Sequence, residues 1–320
     1  MRLATLPDGT PDGRLHLVSR DNRRCAPSQT ARTLQAALDD WARLEPGLRA
    51  EQEALDTGGG QPFDPSRALA PLPRAWQWLD ASAFDTHGEL MARAFGMDPA
   101  PRDRPLMYQG LSDRFLSGTE DVALPSEDDG IDFEGEFGVI CDAVPMGATP
   151  AQAAAHIRLL VQINDWSLRT IAPVEMKTGF GWVQAKPACS VAPVAVTPDE
   201  LGPAWHDARV HLPLVIDWNG RPFGAASGGE MAFGFDDLVA HAARTRQLVA
   251  GTIIGSGTVS NANHATVGSS CISEVRAIEM AGTGQIATPF MAFGDRVRME
   301  AKTADGQPLF GPIDQRIVRA

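Results

Sequence analysis

Two glutamates one residue apart, in Ile131-Asp132-Phe133-Glu134-Gly135-Glu136-Phe137-Gly138-Val139-Ile140, are the part of the chain best suited to hold a hard cation. Side chains two apart on a strand point to one side, so Glu134 and Glu136 would project together, about 7 Å apart at the backbone, while Phe133 and Phe137 face the core. Like charges so placed repel unless a divalent cation lies between them, and oxygen-only ligands suit Mg²⁺, Mn²⁺ or Ca²⁺ better than zinc. The alternative is a solvated glutamate pair on an edge strand. Downstream, Val161-Gln162-Ile163-Asn164-Asp165-Trp166-Ser167-Leu168-Arg169 wedges Asp165 between apolar residues, where a buried carboxylate needs a partner. Asp165 either supplies a third ligand or caps a turn and pairs with Arg169. Three carboxylates around one divalent ion would leave a negative site, and Arg169 and Lys186 could reverse its sign for an anionic substrate. Lys186 is either a surface lysine or, given its apolar neighbours Trp182, Val183 and Ala185, an enclosed one that needs an acidic partner.

These residues need a scaffold, and the pattern suggests a mostly β one. Arg2–Leu6 and Arg14–Val18 flank an Asp-Gly-Thr-Pro-Asp-Gly turn and read as a hairpin. Leu34, Ala37, Leu38, Trp41 and Leu44 recur at helical spacing behind Thr33 as N-cap, with Pro46 interrupting and a second helical piece running to Leu55. Gly58–Gly60 and the following prolines mark a boundary, dividing a small α/β segment, 1–70, from a larger domain, 71–320. In the larger part, Asp132–Ile140, Val210–Trp218, Thr252–Val259 and Arg296–Ala301 are strand-like, and Asn219-Gly220 is a hairpin turn. Thr149-Pro150 opens an Ala-rich helix and Asp236–Leu248 is helical, for three or four helices in all. Gly282-Thr283-Gly284-Gln285-Ile286-Ala287 matches a dinucleotide fingerprint, but Thr288-Pro289 follows where a helix is required, so it reads as a turn between strands.

With 320 residues, 43% of them hydrophobic, the chain can bury a sizeable core. A net charge of -12 without a Lys/Arg cluster argues against nucleic acid or an anionic membrane as partner. Cys25, Cys141, Cys189 and Cys271 lack C-x-x-C spacing, which indicates neither a zinc knuckle nor a redox dithiol. The first residues lack the apolar core of a signal peptide, no apolar run is long enough to span a bilayer, and the expected compartment is the cytoplasm.

The E-x-E strand, the Asn-Asp-Trp-Ser-x-Arg segment, the lysine about twenty residues later and Gly255-Ser256-Gly257-Thr258-Val259-Ser260, in that order, resemble the fumarylacetoacetate hydrolase family from Pro71 to the C-terminus. The resemblance implies an α+β, mostly β fold, a mixed β-roll, acting as a homodimer with Mg²⁺ or Mn²⁺ (Ca²⁺ as an alternative) at its mouth. Carried over, Glu134, Glu136 and Asp165 are metal ligands, and Arg169 and Lys186 are substrate-contacting cations. His87, in Phe84-Asp85-Thr86-His87-Gly88-Glu89-Leu90, matches the catalytic histidine, oriented by Glu89 or Glu274, and Thr258 and Tyr108 contact substrate. Two departures stand out. Arg169 is followed by Thr170, Ile171 and Ala172 where fumarylacetoacetases have Asp-Ile-Gln, and Pro105–Gly110 does not present those enzymes' additional ligand aspartate. The implied activity is metal-dependent hydrolysis of a carbon–carbon bond in a small anionic dioxo acid such as fumarylacetoacetate or an acylpyruvate. Oxo-acid decarboxylation or dienoate hydration on the same site, and a non-catalytic metal-binding protein, are the alternatives.

Overall fold

The structure, a computed structural model, describes residues 1–95 and 103–320. Its backbone is a twelve-stranded mixed sheet beside a five-stranded one. In the large sheet the Arg2–Leu6/Arg14–Val18 hairpin joins Ala195–Val196, followed in space by Ile157–Asn164, Gly135–Cys141, Thr252–Gly255, Trp78–Ser82 and Leu106–Gln109. Gly135–Cys141 and Ile157–Asn164 are antiparallel, whereas Thr252–Gly255 and Trp78–Ser82 run parallel. Ile157–Asn164 is apolar throughout because both of its faces are covered: Leu160 joins a core toward the second sheet, and Leu159, Val161 and Ile163 join one toward the N-terminal helices.

Those helices are Leu34–Asp39, capped by the Thr33 hydroxyl, and Trp41–Thr57. The chain breaks at Asp40 rather than at Pro46, which lies inside the second helix. Leu34, Leu38, Trp41 and Leu48 pack with Ile140, Leu159 and Ile163, so the N-terminal segment shares both a sheet and a core with the rest of the chain.

Several local expectations change. There are eight α-helices among the described residues, several of a single turn, rather than three or four, and the balance is α+β with strands only modestly ahead. The helix expected over Asp236–Leu248 is Phe235–Ala242, and the strand from Thr252 ends at Gly255. The Gly282–Ala287 fingerprint is the end of the Ile272–Thr283 helix, with Gly284 as a left-handed C-cap, and not a turn between strands. Asn219 and Gly220 both have positive φ, as the tight Pro213–Trp218/Arg221–Ser227 hairpin requires. Thr149 and Gln152 form a reciprocal capping box with Pro150 at the first turn.

Candidate active site

The acidic strand does not run unbroken. It ends at Asp132 and restarts at Gly135, and Glu134 bridges to Cys271. Phe133 and Phe137 are buried in the core as their spacing requires, Phe133 lying edge-on to Phe223 at 4.9 Å. The break separates the environments of the two glutamates.

Glu136 sits with Asp80 and Asp165 in a fully buried trio whose carboxylate oxygens lie within 4.8 Å of one another. No amide, hydroxyl or cationic group donates to either Glu136 oxygen among the described residues, and its one hydrogen-bonding neighbour is another acid, Asp80, with which it can share a proton. Asp80 Oδ1 accepts the Gly257 N–H at 3.1 Å. Asp165 accepts the Tyr108 hydroxyl at 2.5 Å, the Lys186 ammonium at 2.6 Å and the Cys189 thiol at 2.8 Å. Burial, followed by the charge of Asp165, pushes the Asp80 carboxyl up to about 8. Burial and the charges of Asp80 and Asp165 hold Glu136 well above the usual carboxylate range. Hence the trio is short of positive charge. A buried carboxylate answered only by another acid, with a third carboxylate beside them, is the oxygen donor set a hard divalent cation requires, so the residues present fit Mg²⁺ or Mn²⁺.

Glu134 lies outside this trio. Its oxygens accept Arg169 Nη2 and Lys186 Nζ, each at 2.5 Å. Burial would raise its carboxyl, but Arg169, Lys186 and His87 outweigh burial and hold it well below the usual range. Lys186 bridges Glu134 and Asp165, and although burial opposes its charge, those two acids keep it well above the ordinary lysine value. Lys186 is therefore an enclosed lysine. Arg169 spans Glu134 and Asp132, and Asp132 in turn caps the Ile272–Thr283 helix through the N–H groups of Ile272 and Ser273.

Close to Glu134 stands a histidine–carboxylate pair. His87, on the Asp85–Phe95 helix, meets Glu274 Oε2 through Nδ1 at 3.0 Å. The other Glu274 oxygen accepts the hydroxyls of Ser260 and Ser269. Glu89 is exposed on the same helix, so Glu274 is the carboxylate that orients the ring. Thr258 is buried one residue past Gly257. Tyr108 packs edge-on against Trp182 at 4.7 Å, with Lys186 5.4 Å from its ring centre.

Asp80 is the residue that sequence reading missed. Pro105–Gly110 holds no aspartate, but Asp80, on the neighbouring Trp78–Ser82 strand, lies directly opposite Tyr108. Its signal was present: Trp78-Leu79-Asp80-Ala81 wedges an Asp among apolar residues, as around Asp165. Cys189, Ser260 and Ser269 carried no such signal.

Comparison with known proteins identifies the family and the fold. Residues 77–318 match the profile of the fumarylacetoacetate (FAA) hydrolase C-terminal domain, and residues 1–74 that of fumarylacetoacetase N-terminal domain 2. A 2,4-didehydro-3-deoxy-L-rhamnonate hydrolase of Sphingomonas sp. (strain SKA58) is 26% identical over 163 residues, 50% of this chain and 54% of that protein, so the match spans about half of the relative's length. The fold is shared with maleylpyruvate hydrolase from Sphingobium sp. SYK-6, at 16% identity, full coverage of both chains and a TM-score of 0.68. That hydrolase has also been solved in complex with manganese(II) ion and pyruvate. It is shared too with 5-carboxymethyl-2-hydroxymuconate delta-isomerase from Mycobacterium smegmatis, at 17% identity, 100% and 99% coverage and a TM-score of 0.63. No helix among the described residues is long and apolar enough to cross a membrane. With its profiles matched over nearly the whole chain, the protein belongs to the fumarylacetoacetate hydrolase family.

Proposed function

We propose that this chain is a Mg²⁺- or Mn²⁺-dependent hydrolase that splits a carbon–carbon bond in an acylpyruvate-type β-dicarbonyl acid. The observations that support it most are the charge-deficient trio of Asp80, Glu136 and Asp165 and, near the Glu134 that Lys186 ties to that trio, a histidine already oriented by a carboxylate. Asp80, Glu136 and Asp165 would hold the ion, with Glu134 joined to them through Lys186. When bound, a divalent ion supplies Lewis-acid stabilisation of negative charge developing on substrate oxygens. The other roles belong to the chain itself. Glu274 fixes Nδ1 of His87, which leaves Nε2 to take a proton from water. Arg169 and Lys186 set two positive charges against the acidic wall and so admit an anionic substrate. Tyr108 and Thr258 complete the substrate contacts in this reading.

A homodimer belongs to the same proposal. Its support is the exposed Val174, Phe180 and Val183 on the segment linking Arg169 to Lys186, with Phe180 96% exposed. Cytoplasmic residence is supported by four cysteines that are all buried and free. The test is product identity from an acylpyruvate panel incubated with Mg²⁺, Mn²⁺ or chelator. Hydrolysis yields two acids per turnover and stops in chelator. Carbon dioxide, or a single hydrated or isomerised product, would replace this reading with decarboxylation, hydration or isomerisation.

A further inference from the structure

Among the described residues, two groups of His, Cys, Asp or Glu side chains converge closely enough to hold a cation. One is the trio of Asp80, Glu136 and Asp165. The other is His87, Cys271 and Glu274, each of which brings one ligand atom within 4.8 Å of the other two. A four-coordinate zinc ion, with bonds of about 2.0 Å to nitrogen or oxygen and about 2.3 Å to sulfur, holds its ligands about 3.5 Å apart. His87 Nδ1 and Glu274 Oε2, 3.0 Å apart, already stand close to that spacing. Cys271 and Glu274 are buried, while the His87 side chain is 15% exposed and gives an ion its way in.

The chemistry of the donors separates the two groups. Three carboxylates suit Mg²⁺ or Mn²⁺, whereas a thiolate, an imidazole and a carboxylate together suit zinc or cobalt(II). Cys271 also stands where a thiol is an unexpected choice. It is the N-cap of the Ile272–Thr283 helix and accepts the Glu274 N–H through sulfur at 3.3 Å, a task that a serine or threonine oxygen performs better. Asp132 already serves the Ile272 and Ser273 N–H groups, so the helix start does not depend on the sulfur. Glu274 is braced from behind by the Ser260 and Ser269 hydroxyls on Oε1, with Oε2 toward His87, the kind of outer support that fixes metal-ligating carboxylates. One thiolate and one carboxylate balance a divalent charge, and the imidazole stays neutral.

We propose that His87, Cys271 and Glu274 form a second metal site, for a borderline-soft divalent ion such as zinc, and that its occupation removes His87 from catalysis. The ion displaces the thiol proton to solvent and bonds to the sulfur, to Glu274 and to one nitrogen of His87. On Nδ1 it forces the proton of the ring onto Nε2; on Nε2 it occupies that atom itself. In either case the ring can no longer take a proton from water. The site stands on the donor geometry alone, and only its inhibitory effect rests on the reading of His87 as the base.

The test titrates the full, metal-free chain with Co²⁺ and reads the thiolate-to-cobalt charge-transfer band in the near ultraviolet. The band should grow to saturation in wild type. It should persist in Glu136→Ala, whose trio is incomplete, and in Cys189→Ala, which removes the thiol beside Asp165. It should vanish in Cys271→Ser, whose hydroxyl retains the helix cap. His87→Gln, at a partly exposed position, should weaken cobalt binding at least about tenfold. Added to the Mn²⁺-loaded wild type, Zn²⁺ should inhibit turnover at concentrations at least about a hundredfold below those needed in Cys271→Ser. Overturning results are no thiolate band in wild type, a band that survives Cys271→Ser or is lost in Cys189→Ala, or equal zinc inhibition of wild type and Cys271→Ser. A chain that leaves every dioxo acid unchanged yet shows the Cys271-dependent band would keep this site while the acylpyruvate reading fell.

Discussion

Glu136 is the side chain whose surroundings make least sense without a ligand, because burial and two neighbouring acids oppose its charge and the one group that hydrogen-bonds it among the described residues is another acid, Asp80. Glu136→Ala should lower turnover by more than about two orders of magnitude, the scale of a lost electrophile. Glu136→Gln should abolish divalent-ion binding too, yet leave the ion-free chain more stable than wild type at about pH 8, since a neutral amide removes the repulsion. A thermal melt in chelator checks the second half. A lower melting temperature than wild type would show that the glutamate is matched after all.

The pH dependence follows from the same acids. Unfolded carboxylates titrate near 4, whereas Asp80 in the folded chain titrates at about 8 and Glu136 is also raised. Between those limits the folded state holds more protons than the unfolded one, so stability falls as pH rises through the window. Glu134 has the opposite sign, but its contribution is already complete above about pH 5. The melting temperature in chelator should therefore decline from about pH 5 to pH 8, and saturating Mn²⁺ should remove the slope. A melting temperature that climbs across that range without metal would contradict the assignment. His87 and Glu274 affect turnover differently: Glu274→Gln should lower kcat and shift its acid limb while leaving Mn²⁺ affinity near wild type, because Glu274 contacts His87, Ser260 and Ser269 rather than the trio.

The elements explain why part of the site was legible in the sequence and part was not. The E-x-E spacing located Glu134 and Glu136, and the apolar frame of Asp165 marked a buried acid, because both signals are local. What the alternation could not show is the interruption at Phe133–Glu134, where Glu134 pairs across to Cys271 and turns to Arg169 and Lys186. Pairing partners decide such a break, and they are far away in sequence. The apolar frame of Asp80 marks a buried acid as well, but not its place in the trio: it arrives there because the Trp78–Ser82 strand lies parallel to Thr252–Gly255, a neighbour more than 170 residues downstream. Pro46 misleads for a different reason: it lies past the first turn of the Trp41–Thr57 helix, where proline removes a backbone hydrogen bond, and the helix continues through it with Trp41, Leu48 and Leu55 buried in the core.

Gly255 is where element and residue meet. A side chain there would strike Asp80 Oδ1 at 2.3 Å and Glu136 Oε2 at 2.9 Å, with the Trp78 ring on the other side. Gly255→Ala should cost about 1–3 kcal/mol of stability through overpacking and weaken Mn²⁺ binding sharply. Calorimetry reads both. Wild-type Mn²⁺ affinity in this variant would mean that Asp80 and Glu136 need not approach each other.

On the scale of the whole molecule, the N-terminal 74 residues are bound into the fold rather than appended to it. Arg2–Leu6 pairs with Ala195–Val196, and Leu34, Leu38 and Trp41 cover the face carrying Ile140, Leu159 and Ile163. A chain beginning at residue 77 should accordingly be insoluble or melt far below the full chain, because one face of the large sheet would lie open to water. Composition and hydrophobic pattern announce a boundary near Gly58–Gly60 as a change of texture, but they carry no information on whether two segments share a sheet. The acidic overall charge, by contrast, could be read directly. It leaves Arg169 and Lys186 as the local positive charges that an anionic substrate would meet.

The central claim is that distant strands gather carboxylates around one hard cation, and locating that cation tests it most directly. Crystals of the full chain grown with Mn²⁺ and measured at the manganese absorption edge should show one strong anomalous peak among the carboxylates of Asp80, Glu136 and Asp165, and none in Glu136→Ala. A peak elsewhere, or an occupied site that survives the loss of Glu136, would contradict the account.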